Sequence, residues 1–162
     1  MSIILKEVLE SEKSILNNLY SLYLHDLSKF TSMIDIEEDG CFQYKGLESF
    51  WEIDGISPFF LKLENNIIGF LLLLERPFLT KDNDFGVNDI FILNKYKGKG
   101  MGRQAIEKLF QEKPGKYFVI ELVENGPAIS FWKKVYSTLN IQFEEKQDLV
   151  DDEQCLIQTF TI

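Results

Sequence analysis

The chain has 162 residues, of which 45% are apolar and 14% aromatic, and its formal net charge is -9. That composition excludes a disordered polymer and fits a single domain over residues 1–162 with one sizeable core. The acidic balance argues against a nucleic-acid partner, which calls for a basic footprint. The longest apolar run, residues 67–74, is far shorter than the about 20 residues that span a bilayer, so no membrane partner is expected. Cys41 and Cys155 are far apart, form no CxxC motif and are expected to stay thiols. The N-terminal residues carry no signal-peptide pattern, and the expected location is cytoplasmic.

Residues 3–8 read as a first strand. From 11 to 30, Ile15, Leu16, Leu19, Tyr20, Tyr23, Leu27 and Phe30 recur at three- and four-residue steps, which predicts an amphipathic helix, capped by Ser11 or else by Ser14. Residues 31–57 read as an acidic, aromatic loop with a short helix near 47–51. Strands are expected at 58–63 and 67–75, joined by Glu64-Asn65-Asn66 because Asn tolerates positive φ. A strand at 85–93 leads through glycines to a helix at 103–112, stopped by Pro114-Gly115. A strand at 116–123, a helix at 127–139 with Pro127 in its first turn, and closing strands at 141–145 and 154–162 complete the chain. Hairpin strands first and strand–helix units later predict an α/β fold with a mixed sheet and helices on both faces.

The segment Lys97-Gly98-Lys99-Gly100-Met101-Gly102-Arg103 follows a strand and opens a helix. Glycines let the backbone approach a ligand, and the first N–H groups of a helix face an anion at the positive end of its dipole. Lys95, Lys97, Lys99 and Arg103 add positive charge with no acidic residue between them. Three readings are open at this point. The turn can be a mere connection. It can be a Rossmann-type dinucleotide or S-adenosylmethionine site, with Glu121 as the ribose-binding acid. It can also be a coenzyme A pyrophosphate cradle. A helix and an antiparallel hairpin precede it, which disfavours the Rossmann reading.

Lys97-x-x-Gly100-x-Gly102 resembles the Gln/Arg-x-x-Gly-x-Gly/Ala signature of the GNAT N-acetyltransferase superfamily, with Lys97 in place of Gln or Arg. The preceding Ile90-Phe91-Ile92 and the downstream Asn125-Gly126-Pro127-Ala128-Ile129-Ser130-Phe131-Trp132 resemble family segments as well. So do Leu22-Tyr23-Leu24-His25-Asp26-Leu27-Ser28 and Pro114-Gly115-Lys116, which look like a bacterial subgroup of predicted acetyltransferases.

The resemblance implies the GNAT fold, a mostly antiparallel sheet splayed between strands 4 and 5, and transfer of an acetyl group from acetyl-CoA to a primary amine by direct attack. It implies that main-chain groups of Phe91, Ile92 and Leu93 pair with the pantetheine arm. Lys97, Gly98, Lys99, Gly100, Met101, Gly102 and Arg103 would hold the pyrophosphate, and Asn125, Phe131 and Trp132 would flank the cofactor. The expected base is Asp89. Trp132 stands where the family carries a tyrosine acid, and an indole N–H is no such acid, so Tyr136, one turn on, is the substitute. His25 and Asp26 are expected to contact the acceptor, a small-molecule or peptide amine, and the acidic 35–39 loop would suit a cation. One histidine and two scattered cysteines make no metal set. The alternative from another class is an acyl-CoA-binding module without catalysis. Oligomeric state is not legible, and a homodimer stays open.

Overall fold

The structure, a computed structural model, describes residues 2–162. Its strands are β1 (Ile3–Glu7), β2 (Ile56–Leu63), β3 (Asn66–Glu75), β4 (Phe85–Ile92), β5 (Lys116–Leu122), β6 (Phe143–Val150) and β7 (Glu153–Thr161), and its α-helices are α1 (Lys13–Leu27), α2 (Met101–Glu112) and α3 (Gly126–Thr138). The strands form one sheet in the order β1-β2-β3-β4-β5-β7-β6. Every pairing is antiparallel except β4 with β5. The mixed α/β architecture expected from the order of elements is the one observed.

Helices cover both faces. On one, Leu16 and Tyr20 of α1 pack with Phe50, Phe60, Phe70, Leu72 and Phe91. On the other, Ala105, Ile106 and Leu109 of α2 and Trp132, Val135 and Tyr136 of α3 pack with Leu71, Leu73, Val119 and Phe160. Alternation along each strand divides the two cores, because successive side chains leave a strand on opposite faces. The loop aromatics Phe50 and Trp51 serve this packing: Phe50 is buried and the Trp51 Nε1 donates to Val8 O at 2.9 Å.

Several local expectations need correction. Neither Ser11 nor Ser14 caps α1. A 3-10 turn at Glu10–Glu12 precedes the helix, and the Glu12 carboxylate accepts from Leu9 N at 3.0 Å instead. The helix stops at Leu27, where the Ser28 hydroxyl turns back to donate to His25 O, a local bond that competes with further helix. In the β2–β3 turn the positive φ falls on Glu64, at 57°, and on neither asparagine. The α2 helix begins at Met101, two residues early, so Gly102 lies inside its first turn. The β6 strand runs over Phe143–Val150 rather than 141–145, and is exposed along nearly its whole length. It is the edge of the sheet, and its charged side chains discourage further strand pairing.

Candidate active site

Two interruptions meet in β4. Its parallel pairing with β5 consists of Phe85, Gly86 and Val87 against Tyr117, Phe118 and Val119, and then ends. Its pairing with β3 runs Leu73 with Val87 and then Leu72 with Asp89, which leaves Asn88 as an extra residue, a β-bulge. Beyond Val87 the strands diverge, as the resemblance implied. The main chain of the outer half of β4 is then open on its β5 side. Leu93 N donates to Ile68 O at 2.8 Å. By the alternation of an antiparallel ladder, Phe91 and Leu93 spend their main-chain groups on β3, while Ile90 and Ile92 point theirs into the gap. Ile92 therefore fits the expected role of pairing with an extended arm, and Phe91 and Leu93 do not.

At the end of β4 a 3-10 turn at Asn94–Tyr96 leads to the glycines. Gly100 is the N-cap of α2 with φ 77°, a left-handed conformation that strains any residue bearing a Cβ. No side chain caps this helix end, so the leading N–H groups at Met101, Gly102 and Arg103 remain available to an anion. Space above Gly98 is open for 4 Å. Gly102 is small for another reason: a Cβ there would lie 2.8 Å from Cε1 of Phe131, so α2 and α3 meet at this point. Lys97 lies 5.7 Å from the Phe91 ring centroid and pairs with Asp26 of α1 at 3.4 Å, linking the turn to the first helix.

The remaining expected cofactor contacts are placed as follows. Asn125 is the N-cap of α3, its Oδ1 accepting from Ala128 N at 3.2 Å. Phe131 walls the turn through Gly102, and Trp132 is buried against the sheet. Tyr136 is also buried. Its hydroxyl donates to Gln158 Oε1 at 2.7 Å, and burial drives its pKa further above the ordinary phenol range, which makes it a poor proton donor.

Asp89 is 8% exposed and faces α1. The bulge puts it there: in a regular pleat running through Asn88, Asp89 would share the α2–α3 face with Val87. Its Oδ2 accepts from the Tyr20 hydroxyl at 2.9 Å and from Asn88 Nδ2 at 3.0 Å, and its Oδ1 accepts from the Tyr23 hydroxyl at 2.9 Å. Burial raises the Asp89 pKa, and the three donors oppose that rise by favouring the charged form. The same burial, with the Asp89 charge beside them, raises both tyrosines well above 10. Sequence reasoning counted Tyr20 and Tyr23 only as apolar stripe. The available signal was two tyrosines one turn apart in a helix face otherwise made of Leu and Ile.

Beside this cluster, Tyr44 stacks on Tyr20 with ring centroids 4.4 Å apart. Tyr44 lines a cavity of about 370 Å³ with Leu24, Met33, Asp35, Glu37 and Phe42. His25 is exposed, with its ring 5.7 Å from that of Phe42 at the cavity wall.

Strands that part beyond Val87 and a helix start without a cap, both reached from β4, are the frame of an acyltransferase fold. The chain belongs to the GNAT acetyltransferase family, whose model matches residues 16–136. It is thus an acyltransferase of a family that uses acetyl-CoA to acetylate amines. Among curated proteins none matches it in sequence. Its fold is similar to an acetyltransferase from Thermus thermophilus (TM-score 0.72, 15% identity, covering 100% of this chain and 98% of that one). It is also similar to a chimera of the spermidine N-acetyltransferase SpeG from Vibrio cholerae and hSSAT (0.62, 15%, 99% and 96%). The ribosomal-protein-S18-alanine N-acetyltransferase from Escherichia coli is a third (0.60, 12%, 99% and 94%). At these identities the likeness shows the fold. Among the described residues no helix is long and apolar enough to cross a membrane, and both cysteines are free thiols.

Proposed function

We propose that this acetyltransferase moves an acetyl group from acetyl-CoA directly to a primary amine in a ternary complex, with Asp89 as the base. The observation that carries the reading is that one strand, β4, ends its β5 pairing and carries a buried carboxylate at the same bulge, and then leads into the uncapped start of α2. Acetyl-CoA would supply the acyl group already activated as a thioester. The N–H groups of Gly98, Lys99, Gly100, Met101, Gly102 and Arg103, with the Lys97, Lys99 and Arg103 side chains, would hold its pyrophosphate. The main chain of Ile92 would receive its amide arm, and Phe131 would close one wall of the cradle.

Asp89 accepts the proton that an ammonium must lose before it attacks, and burial raises its pKa towards the range a base needs. Asp35 and Glu37 on the neighbouring cavity suit a cationic acceptor, and His25 of α1 stands beside its Phe42 wall, while Asp26 pairs with Lys97 of the turn. Spermidine, a lysine peptide and a peptide with an N-terminal alanine therefore form the first panel of acceptors.

Calorimetry is expected to show coenzyme A binding that Gly100→Trp abolishes, since the substitution both strains φ and fills the turn. Asp89→Asn is expected to lower transfer by about 10²–10⁴ with coenzyme A affinity unchanged. Coenzyme A binding without turnover of any amine would favour the non-catalytic module that Trp132 at the tyrosine position suggests. Binding of S-adenosylmethionine or NAD in place of coenzyme A would sink the whole reading.

A further inference from the structure

We infer that Tyr23 is a further catalytic residue: its hydroxyl oxygen takes the ammonium proton of the acceptor while its own proton passes to Asp89 Oδ1. The inference rests on Asp89 being the base. The two carboxylate oxygens are not equivalent. Oδ2 is occupied by two donors, Tyr20 and Asn88, whereas Oδ1 has Tyr23 alone. An ionised carboxylate oxygen offers two lone-pair sites, so Oδ1 is the oxygen with capacity left for a proton.

Accessibility runs the same way. Tyr20 is fully buried and Asp89 nearly so, while Tyr23 is the partly exposed member of the three. Tyr20 is wedged between Phe70 and Tyr44, at 4.3 and 4.4 Å between centroids. It is a positioning residue. Tyr23 stands edge-on to Phe70 and Phe91, with its hydroxyl on Asp89 Oδ1. Phe91 also carries Lys97 over its ring, so the coenzyme turn and the relay share one aromatic wall.

The step balances. The N–H bond of the ammonium breaks and an O–H bond forms on Tyr23. The original Tyr23 O–H bond breaks and an O–H bond forms on Asp89. The amine is left with its lone pair, Tyr23 is again a neutral phenol, and the carboxylate has become a carboxylic acid. A phenol with a pKa well above 10 suits this role, because it passes a proton on without ionising in between.

The test compares Tyr23→Phe, Tyr20→Phe and Asp89→Asn in the full chain, using acetyl-CoA and the three amines named above. Tyr23→Phe is expected to lower kcat about 100-fold at neutral pH with the KM for acetyl-CoA unchanged. The loss should shrink about tenfold per pH unit as pH approaches the pKa of the amine, which supplies neutral amine without a relay; Tyr20→Phe should lose activity equally at every pH. Tyr23→Phe within threefold of the parent, with Asp89→Asn inactive, overturns the relay and leaves the base in place. An active Asp89→Asn removes the base reading itself.

A second readout needs no turnover. In the free protein carrying ¹³C-labelled aspartate, Tyr23→Phe should raise the Asp89 pKa by about one unit, and Tyr20→Phe by less, because Asn88 still serves Oδ2. An Asp89 titration that Tyr23→Phe does not move overturns the inference. If Tyr23→Phe fails to fold, 3-fluorotyrosine at position 23 replaces it, and a kcat indifferent to the acidity of that phenol overturns the inference equally.

Discussion

Glu121 is an uncompensated buried acid, and its neutralisation should stabilise the protein most strongly at high pH. It lies on β5 two residues beyond the last β4 rung, is 4% exposed, and neither carboxylate oxygen has a hydrogen-bond partner. The Gln158 amide lies beside it and favours its charged form only weakly, while its Nε2 donates to Glu145 Oε1 at 2.9 Å. Burial, reinforced by the Glu145 charge and eased by Lys133 and by the Gln158 amide, pushes the Glu121 pKa from 4.5 up to about 8. The folded state therefore holds this proton more tightly than the unfolded chain does. Its stabilising effect is complete below about pH 4.5 and is lost as pH rises to about 8, after which the loss is constant. A rise of about 3.5 units at about 1.4 kcal/mol each gives about 5 kcal/mol over the titration. Solvent relaxation around the carboxylate screens part of this, so about 2–3 kcal/mol is the figure to expect. Urea unfolding of Glu121→Gln and the parent at pH 5, 7 and 9 measures it. Their difference should be small at pH 5 and reach about 2–3 kcal/mol in favour of the glutamine at pH 9. Comparing the two proteins cancels the opposite trend of Glu12 and Asp84, whose pKa values are lowered by hydrogen bonds and nearby cations. A difference that does not change with pH would refute the reasoning.

Gly102→Ala should cost about 1–3 kcal/mol and weaken coenzyme A binding, because the new methyl must displace the Phe131 ring from 2.8 Å; an unchanged Tm would show that α3 shifts freely. Lys97→Ala removes a half-exposed pair with Asp26, so thermal stability should hold within about 0.5 kcal/mol. Coenzyme A affinity should nevertheless fall about tenfold by calorimetry, and less at high salt, through the loss of a charge-assisted contact. Tyr136→Phe leaves the buried Gln158 Oε1 without its donor and should cost about 1–2 kcal/mol in urea unfolding. A fall in kcat with stability intact would return that hydroxyl to the chemistry.

Where a signal is local, the residues announce it. The α1 stripe, the β2–β3 hairpin and the strand before Lys97 are short-range patterns, and the structure contains each of them. What was hidden depends on partners far along the chain. The Tyr20 and Tyr23 hydroxyls meet a carboxylate 69 and 66 positions away. No periodicity distinguishes such a phenol from one that only fills space. The length of β6 was hidden for the opposite reason: both its faces are wet, so no apolar alternation marks Glu144 to Asp148 as strand. Its far end is set by Asp151 and Asp152, both at positive φ in a two-residue turn of a kind that Asp tolerates. The orphaned state of Glu121 needed the burial of its surroundings, since its place in the sequence fitted a ribose-binding acid equally well.

Asn88 joins the two halves of the site. The β5 pairing ends at Val87, and Asn88 is the residue without a partner on β3, so the sheet is released on one side and lengthened on the other at the same position. The release opens the edge along which an extended thioester arm can lie. The extra residue reverses the alternation, so that Asp89 leaves the face of α2 and α3 and enters that of α1, where the two tyrosines wait. Asn88 then uses its own amide to hold Oδ2. The proposed cradle and the proposed base are therefore linked through one strand: the same inserted residue ends the β5 pairing and turns Asp89 towards α1. This also explains why the glycine turn alone leaves the chemistry undetermined. The turn offers free N–H groups to an anion, whereas the carboxylate proposed as the base is set by the bulge upstream in β4.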